Sequence, residues 1–405
     1  MVKIRKHCKY IDELLNDHQL FDHIIETNMY KKRDHYGNNL ITEICYKLRY
    51  YGKEKLSILI KMIKRLINIG CNIDNKNKND NTPLIYALMI KKYDIAKLLI
   101  ESGCDINVRN KSGNTILMRF IHDHKAVELL IEAGCNLNVH NKDGRTALMY
   151  VFFHEYTYIA YRLLLKNKCE LDKQDRHGKT ALMYAILRDS NIEPLLEAGC
   201  DVNIKDKKGM TAVMHAAYHN PFKITDKLLK NYKMGQRDHI GRTELNLLVC
   251  SKWCFSKINM VKYMIKKGAT IESDEDYGQA FTVCVDISTI KYLIMNTNIC
   301  ININIDTNPR RKYPILDKVI TFYKKDIELI KYLISRGCVL SERMKLWNGF
   351  DKVKNIVYNA LANVSLFFRC VRHIYTNRIK YSDSKLIKLN KDIRKYFRLR
   401  HQFDL

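Results

Sequence analysis

No stretch of this 405-residue chain approaches the ~20 consecutive apolar residues that a membrane-spanning helix needs. An integral helical membrane protein is thereby excluded. Met1 to Tyr10 is basic and has no apolar core, so no secretory signal is expected. Acidic residues are in short supply, 43 against 70 Lys and Arg, which leaves a formal net charge of +27. Only 22 of those 70 are Arg. Phosphate and base readers lean on the planar fork of arginine. A Lys-heavy excess spread along a chain crowded with Lys, Asn, Ile and Tyr therefore reads as composition and solubility before nucleic-acid binding. Nucleic-acid association is kept as the weaker alternative. The 46% hydrophobic and 10% aromatic content argues against global disorder.

Glycine is scarce as well, 16 residues, and most of it falls in two recurring slots. Gly37, Gly113, Gly144, Gly178, Gly209, Gly241 and Gly278 sit in an Asp-x-x-Gly-x-Thr entry phrase. Gly70, Gly103, Gly134, Gly199, Gly268 and Gly337 follow a run of helical spacing. Both slots suit a backbone that side chains resist, a tight turn and a helix C-cap. The Thr position of the phrase holds Asn39, Thr82, Thr115, Thr146, Thr180, Thr211, Thr243, Ala280 and Tyr313, at steps of 43, 33, 31, 34, 31, 32, 37 and 33 residues. A period near 33 signals stacked repeats and one quasi-linear body without a central core.

The phrase is fullest at Asp175, Gly178-Lys179-Thr180, Ala181-Leu182-Met183-Tyr184-Ala185 and Leu195 to Asn203. It resembles the ankyrin repeat, with Thr82-Pro83-Leu84 nearest to that family's consensus and Met118, Met149, Met183 and Met214 in its His slot. The resemblance covers roughly residues 30–340. It implies an all-α ankyrin-repeat solenoid of stacked helix-turn-helix units with short β-like turns. It also implies that Met weakens the usual polar tie of that slot. The T-A-L-M-Y-A and G-C-D-V-N wording, with the Lys, Asn and Ile bias, is similar to ankyrin proteins of giant DNA viruses of amoebae (mimivirus-like), which would place the chain in a host cytoplasm.

Three regions are expected: an N-terminal helical cap over 1–33, about nine repeats over 34–340 and a C-terminal helical cap with a basic tail over 341–405. Ile11, Leu14, Leu15, Leu20, Phe21, Ile24 and Ile25 give the first its helical spacing. The first repeat carries extra residues around Tyr50-Tyr51-Gly52. The fifth is trimmed at Asn191–Pro194, which puts Pro194 in the first turn of a helix. Residues 341–405 hold 15 Lys and Arg against 5 acidic residues. Pox-type ankyrin proteins often end in an F-box-like segment, but the last proline here is Pro314, so the Leu-Pro start of one is missing.

Thirteen Cys is an odd number, and six occupy one slot: Cys71, Cys104, Cys135, Cys169, Cys200 and Cys338, where Ala269 keeps the family's residue. Such a slot wants a small buried side chain, and free Cys behaves as one. Equivalent slots one repeat apart exceed disulfide reach, so a reducing intracellular compartment is expected.

No catalytic constellation stands out. Gly178-Lys179-Thr180 imitates a phosphate loop, but Lys173 stands where that loop needs its first Gly. Asn75, Asn77 and Asn79 echo a calcium loop that Asp80 and Tyr86 break. Cys250 and Cys254 make two sulfurs, short of a zinc site. His122, His124, His215 and His219 are read as surface or interhelical residues with no partner carboxylate in a fixed pattern. No cofactor and no metal are expected, and the chain is read as a non-enzyme.

What remains is surface. In ankyrin repeats the residue before the turn Asp, the two between Asp and Gly, and the one after Gly project into the concave groove. In five repeats these slots hold Arg109, Lys111, Ser112, Asn114; His140, Lys142, Asp143, Arg145; Gln174, Arg176, His177, Lys179; Lys205, Lys207, Lys208, Met210; and Arg237, His239, Ile240, Arg242. Eleven of the twenty are basic and one is acidic, against about three or four basic residues from the whole-chain share. Phe153, His154, Leu187, Arg188, Tyr218 and His219 are expected on the neighbouring groove floor. Basic tips beside an aromatic floor suit an acidic, partly apolar protein segment. The expectation is a non-catalytic, monomeric protein–protein interaction scaffold, with a ubiquitin-ligase substrate adaptor as an alternative.

Overall fold

The computed structural model describes residues 11, 13–15, 18–251, 257–270 and 287–296. Expectations for the ninth repeat, for the turn of the eighth with Gly278, and for Cys254, Cys338 and the segment 341–405 lie outside the described residues. Among those described there is no sheet, and one isolated bridge joins Arg109 to Thr115. No described helix is long and apolar enough to cross a membrane. The chain divides into two compact units, residues 1–240 and 241–405.

In the first unit, helix pairs recur in register. The second repeat pairs Pro83–Met89 with Tyr93–Glu101, the third Ile116–Arg119 with His124–Glu132, and the fourth Ala147–Tyr150 with Tyr158–Lys166. The fifth pairs Ala181–Leu187 with Glu193–Glu197, with Pro194 in the first turn. The sixth pairs Ala212–His219 with only Asp226–Leu229. In the first repeat Leu40–Lys47 precedes a 16-residue helix, Lys53–Asn68, so the extra residues lengthen the second helix.

Each first helix starts for the same reason. Asn39, Thr82, Thr115, Thr146, Thr180 and Thr211 are extended N-caps whose side-chain oxygens accept the N–H three residues on, at 3.1–3.5 Å. The oxygen satisfies an orphan donor of the first turn. In the sixth repeat the Met214 sulfur also accepts the Thr211 N–H, at 3.5 Å. Asp80 takes the turn-glycine slot of the second repeat with φ 59°, and Lys168 takes the helix-end slot of the fourth with φ 55°. The Gly178 turn is less forgiving, because a Cβ there would stand 2.7 Å from the backbone N of Lys207.

The core is a continuous apolar layer between the pairs. Leu84, Ile116, Leu148, Leu182 and Val213 are essentially inaccessible, as are Leu99, Leu130, Leu164 and Leu195 on the second helices. Ile11, Leu14, Leu15, Phe21 and Ile24 are buried ahead of the repeats, and Asp22 on His18–Glu26 pairs with Arg65. Cys71, Cys104, Cys135, Cys169 and Cys200 are buried free thiols. Three residues after each Cys, a side chain clips the next repeat. Asp74, Asn107, Asn138, Asp172 and Asn203 accept the backbone N–H of Asp105, Asn136, Glu170, Asp201 and Lys233 at 2.8–3.0 Å. In the sixth repeat Tyr232 fills the Cys position and is buried.

In the second unit Thr243 caps Glu244–Cys250, which packs on Lys257–Lys266, and Leu245, Leu248, Val261 and Met264 of the two helices are buried. Ile287–Asn296 packs against Lys257–Lys266, with Lys262 Nζ 5.2 Å from the Tyr292 ring centre.

Candidate functional site

The candidate site is built on the turns. At the fifth, the Asp175 carboxylate accepts the N–H groups of His177 and Lys179 at 2.8 and 2.9 Å, and Gly178 N–H closes on the Asp175 carbonyl at 2.8 Å. Asn77, Asn110, Asn141 and Asp206 do the same in their repeats. Gly178-Lys179-Thr180 is thus a turn and helix cap. Adjacent turns are stitched by backbone: Lys142 N–H to Ser112 O, Arg176 N–H to Asp143 O, Lys207 N–H to His177 O and His239 N–H to Lys208 O, all 2.8–3.0 Å. Lys111 N–H meets the Asp80 carboxylate instead, at 2.9 Å.

This stitching fixes a row of exposed Lys, Arg or His residues, one per repeat, immediately after the turn Asp or Asn. The row runs His35, Lys78, Lys111, Lys142, Arg176, Lys207 and His239. Among the described residues, Lys111, Lys142, Lys207 and Lys208 have no carboxylate within ion-pair distance. Other expected tip residues are engaged in the stack. Arg109 donates to the carbonyls of Gly113 and His140, at 3.1 and 2.6 Å, and Lys205 Nζ donates to that of Arg237 at 3.0 Å. Arg176 Nη1 lies 2.8 Å from Asp143 Oδ1. Arg145 is only 24% exposed, 3.6 Å from Asp143 and 3.9 Å from the inaccessible Asp175. Met210 is buried rather than projecting, because an apolar chain gains by leaving water. Arg237 and Arg242 are half-buried, and Arg242 belongs to the second unit.

The expected floor is assembled around Phe153, which is half-buried. Arg145 and Arg188 lie over its ring at 4.8 and 5.1 Å, and Tyr184 packs on it at 4.9 Å. Lys179 lies 5.9 Å from the Tyr184 ring centre. Tyr218 is 37% exposed and packs edge-on against His219. Cation–π contacts of this kind contribute about 0.5–1 kcal/mol at exposed positions.

The expectation that His215 has no carboxylate partner is corrected. His215 is buried, and its Nε2 stands 2.9 Å from Asp206 Oδ2. The bond belongs to a pattern, since the residue nine after the turn Asp or Asn closes back on it. Tyr184 OH donates to Asp175 at 2.5 Å, and Asn77 and Asn141 meet Tyr86 and Tyr150 at 2.8 and 3.1 Å. The polar tie has moved one residue beyond the Met slot. Burial pushes the Asp206 carboxyl up, but the His215 hydrogen bond and the Met210 and Lys208 N–H groups outweigh it and hold it below the usual range.

A family model described as Ankyrin repeats (3 copies) matches residues 56–141, 120–206 and 188–275, together more than half of the chain. The chain belongs to the ankyrin-repeat family. Repeats of this family generally mediate protein–protein interaction. Among solved structures, the ankyrin repeat domain of Bcl-3, titled a unique member of the IkappaB protein family, is similar over 56% of this chain and 99% of that one, at 19% identity and TM-score 0.46. No curated protein matches.

Proposed function

We propose that this ankyrin-repeat chain is a non-catalytic interaction scaffold whose turn edge takes an extended acidic segment of a protein partner. The observation that carries the reading is the post-turn row. Consecutive repeats place a basic side chain at one register, on turns locked together by backbone hydrogen bonds, and among the described residues the ammonium groups of Lys111, Lys142 and Lys207 have no carboxylate within ion-pair distance. Complementary charge of this kind governs on-rate and specificity more than raw affinity. The half-buried Phe153 and the exposed Tyr218 give such a segment apolar area to cover.

The test uses the full chain and a fluorescent peptide of about twelve residues alternating Glu with Gly, against its Gln counterpart and a single-stranded oligonucleotide of equal charge. The expected result is binding of the Glu peptide that weakens with salt and is lost in the triple variant Lys142→Glu, Lys207→Glu, Lys208→Glu. Four reversals at Lys385, Lys388, Lys391 and Lys395 are expected to change it little. Binding abolished by the tail reversals alone would move the recruiting surface to the C-terminal segment. Preference for the oligonucleotide would favour the nucleic-acid alternative.

A further inference from the structure

The ends of the first helices supply a second row. His122, His154, Arg188 and His219 follow their N-cap Thr by seven or eight residues in the third to sixth repeats, and all four are exposed. The His122 and His154 rings are 6.2 Å apart, and His154 stacks with Tyr150 at 6.2 Å. Arg188 lies over Phe153, the neighbour of His154. His219 stacks on His215 at 6.0 Å. Three of the four positions are therefore imidazoles, the one side chain whose ordinary titration falls near neutral pH.

We infer that this row receives carboxylates of the bound segment, and that His154 and His219 take up protons as it docks. The inference rests on the turn edge being a site for an acidic segment. Beside that placement, the surroundings of both imidazoles make them harder to protonate than an ordinary imidazole. Partial burial and the neighbouring His122 push His154 below the usual range. Partial burial, then His215, Lys179 and Lys208, do the same to His219. Several neighbouring carboxylates among the described residues already have partners. Asp123 is bonded by Tyr93 at 2.9 and 3.0 Å, Asp189 by Lys223 and Asn220 at 2.9 Å, and Asp206 by His215; Glu155 follows His154 in the chain. An arriving carboxylate reverses the local sign of the field, so each imidazole becomes more basic in the complex than in the free protein. By linkage, affinity rises as pH falls.

The experiment is anisotropy of the same Glu–Gly peptide on the full chain at about pH 6 and about pH 7.5, where a Glu with its ordinary pKa of about 4.3 stays ionised. Binding is expected to be about fivefold tighter at the lower pH, below the ceiling of about tenfold for each imidazole that shifts by one pH unit. The double variant His154→Gln, His219→Gln is expected to lose the pH dependence, binding at both pH values no more tightly than the parent does at about pH 7.5. Affinity that is equal at both pH values would overturn the inference and leave the proposed function standing. So would a pH dependence that survives in the double variant. Failure to bind at either pH, in low salt, would overturn both readings.

Discussion

Arg176 of the fifth repeat reaches back to Asp143 of the fourth, Nη1 to Oδ1 2.8 Å, and Arg145 stands 3.6 Å from the other oxygen of the same carboxylate. One acidic side chain thus holds two of the cations that the sequence suggests for a partner. The basic edge divides into residues that hold the stack and residues that face water alone.

That division is measurable as stability. Arg145→Ala removes contacts to Asp143, Asp175, Phe153 and Tyr184, and is expected to cost about 1–3 kcal/mol. Lys142→Ala and Lys207→Ala, exposed and without a carboxylate, are expected to stay within about 0.5 kcal/mol of the parent. Urea denaturation of the three variants decides it, and equal costs would refute the division.

The His215–Asp206 pair carries a pH signature. The Asp206 carboxyl is more acidic folded than unfolded. Its contribution is therefore present above the unfolded value, about 3.9 for Asp, and is lost as pH falls through the lower folded value. His215→Phe removes the donor and is expected to cost about 1–3 kcal/mol at neutral pH, a difference that narrows in acid. His215→Tyr should retain most of the stability, since Tyr184 makes the same closure on Asp175. A His215→Phe deficit that stays constant from neutral to about pH 3 would contradict the linkage.

The cysteine slot predicts silence toward alkylating reagents. Burial pushes the thiols of Cys71, Cys135 and Cys169 up to about 11, and burial first, then nearby Asp side chains, push those of Cys104 and Cys200 up to about 12. At about pH 8 little thiolate forms, and burial limits a reagent's access in the folded chain. Mass spectrometry after iodoacetamide treatment should find these five unlabelled in the native protein and labelled in denaturant. Rapid native labelling at Cys104, Cys135 or Cys200 would show that the slot is open.

Much of this architecture is written in single positions. Thr180 before an apolar run, Gly178 two residues ahead of it and Cys200 after the helix end each do their work within a few residues, so their spacing is readable. The parts that were hidden depend on neighbours one repeat away. Nothing local in Arg145 or Arg176 says that both meet Asp143. Asp80 was hidden by its residue type, since the glycine slot it fills is tolerable for Asp in the left-handed region. His215 was hidden by the Met slot beside it, which drew the polar tie to the wrong position. The four-residue helix Asp226–Leu229 could not be read from Leu228 and Leu229, which are buried whether a helix runs one turn or two.

The side-chain clips from Asp74 to Asp105, Asn107 to Asn136, Asn138 to Glu170, Asp172 to Asp201 and Asn203 to Lys233 have a mechanical consequence. They are links of one kind, repeated at the same place on successive junctions. Tension applied along such a stack meets no single strongest clamp. It is shared among near-identical bonds, so the first unit should lengthen under load in instalments, one repeat at a time. Each instalment would release about 33 residues, or about 110 Å of extended chain.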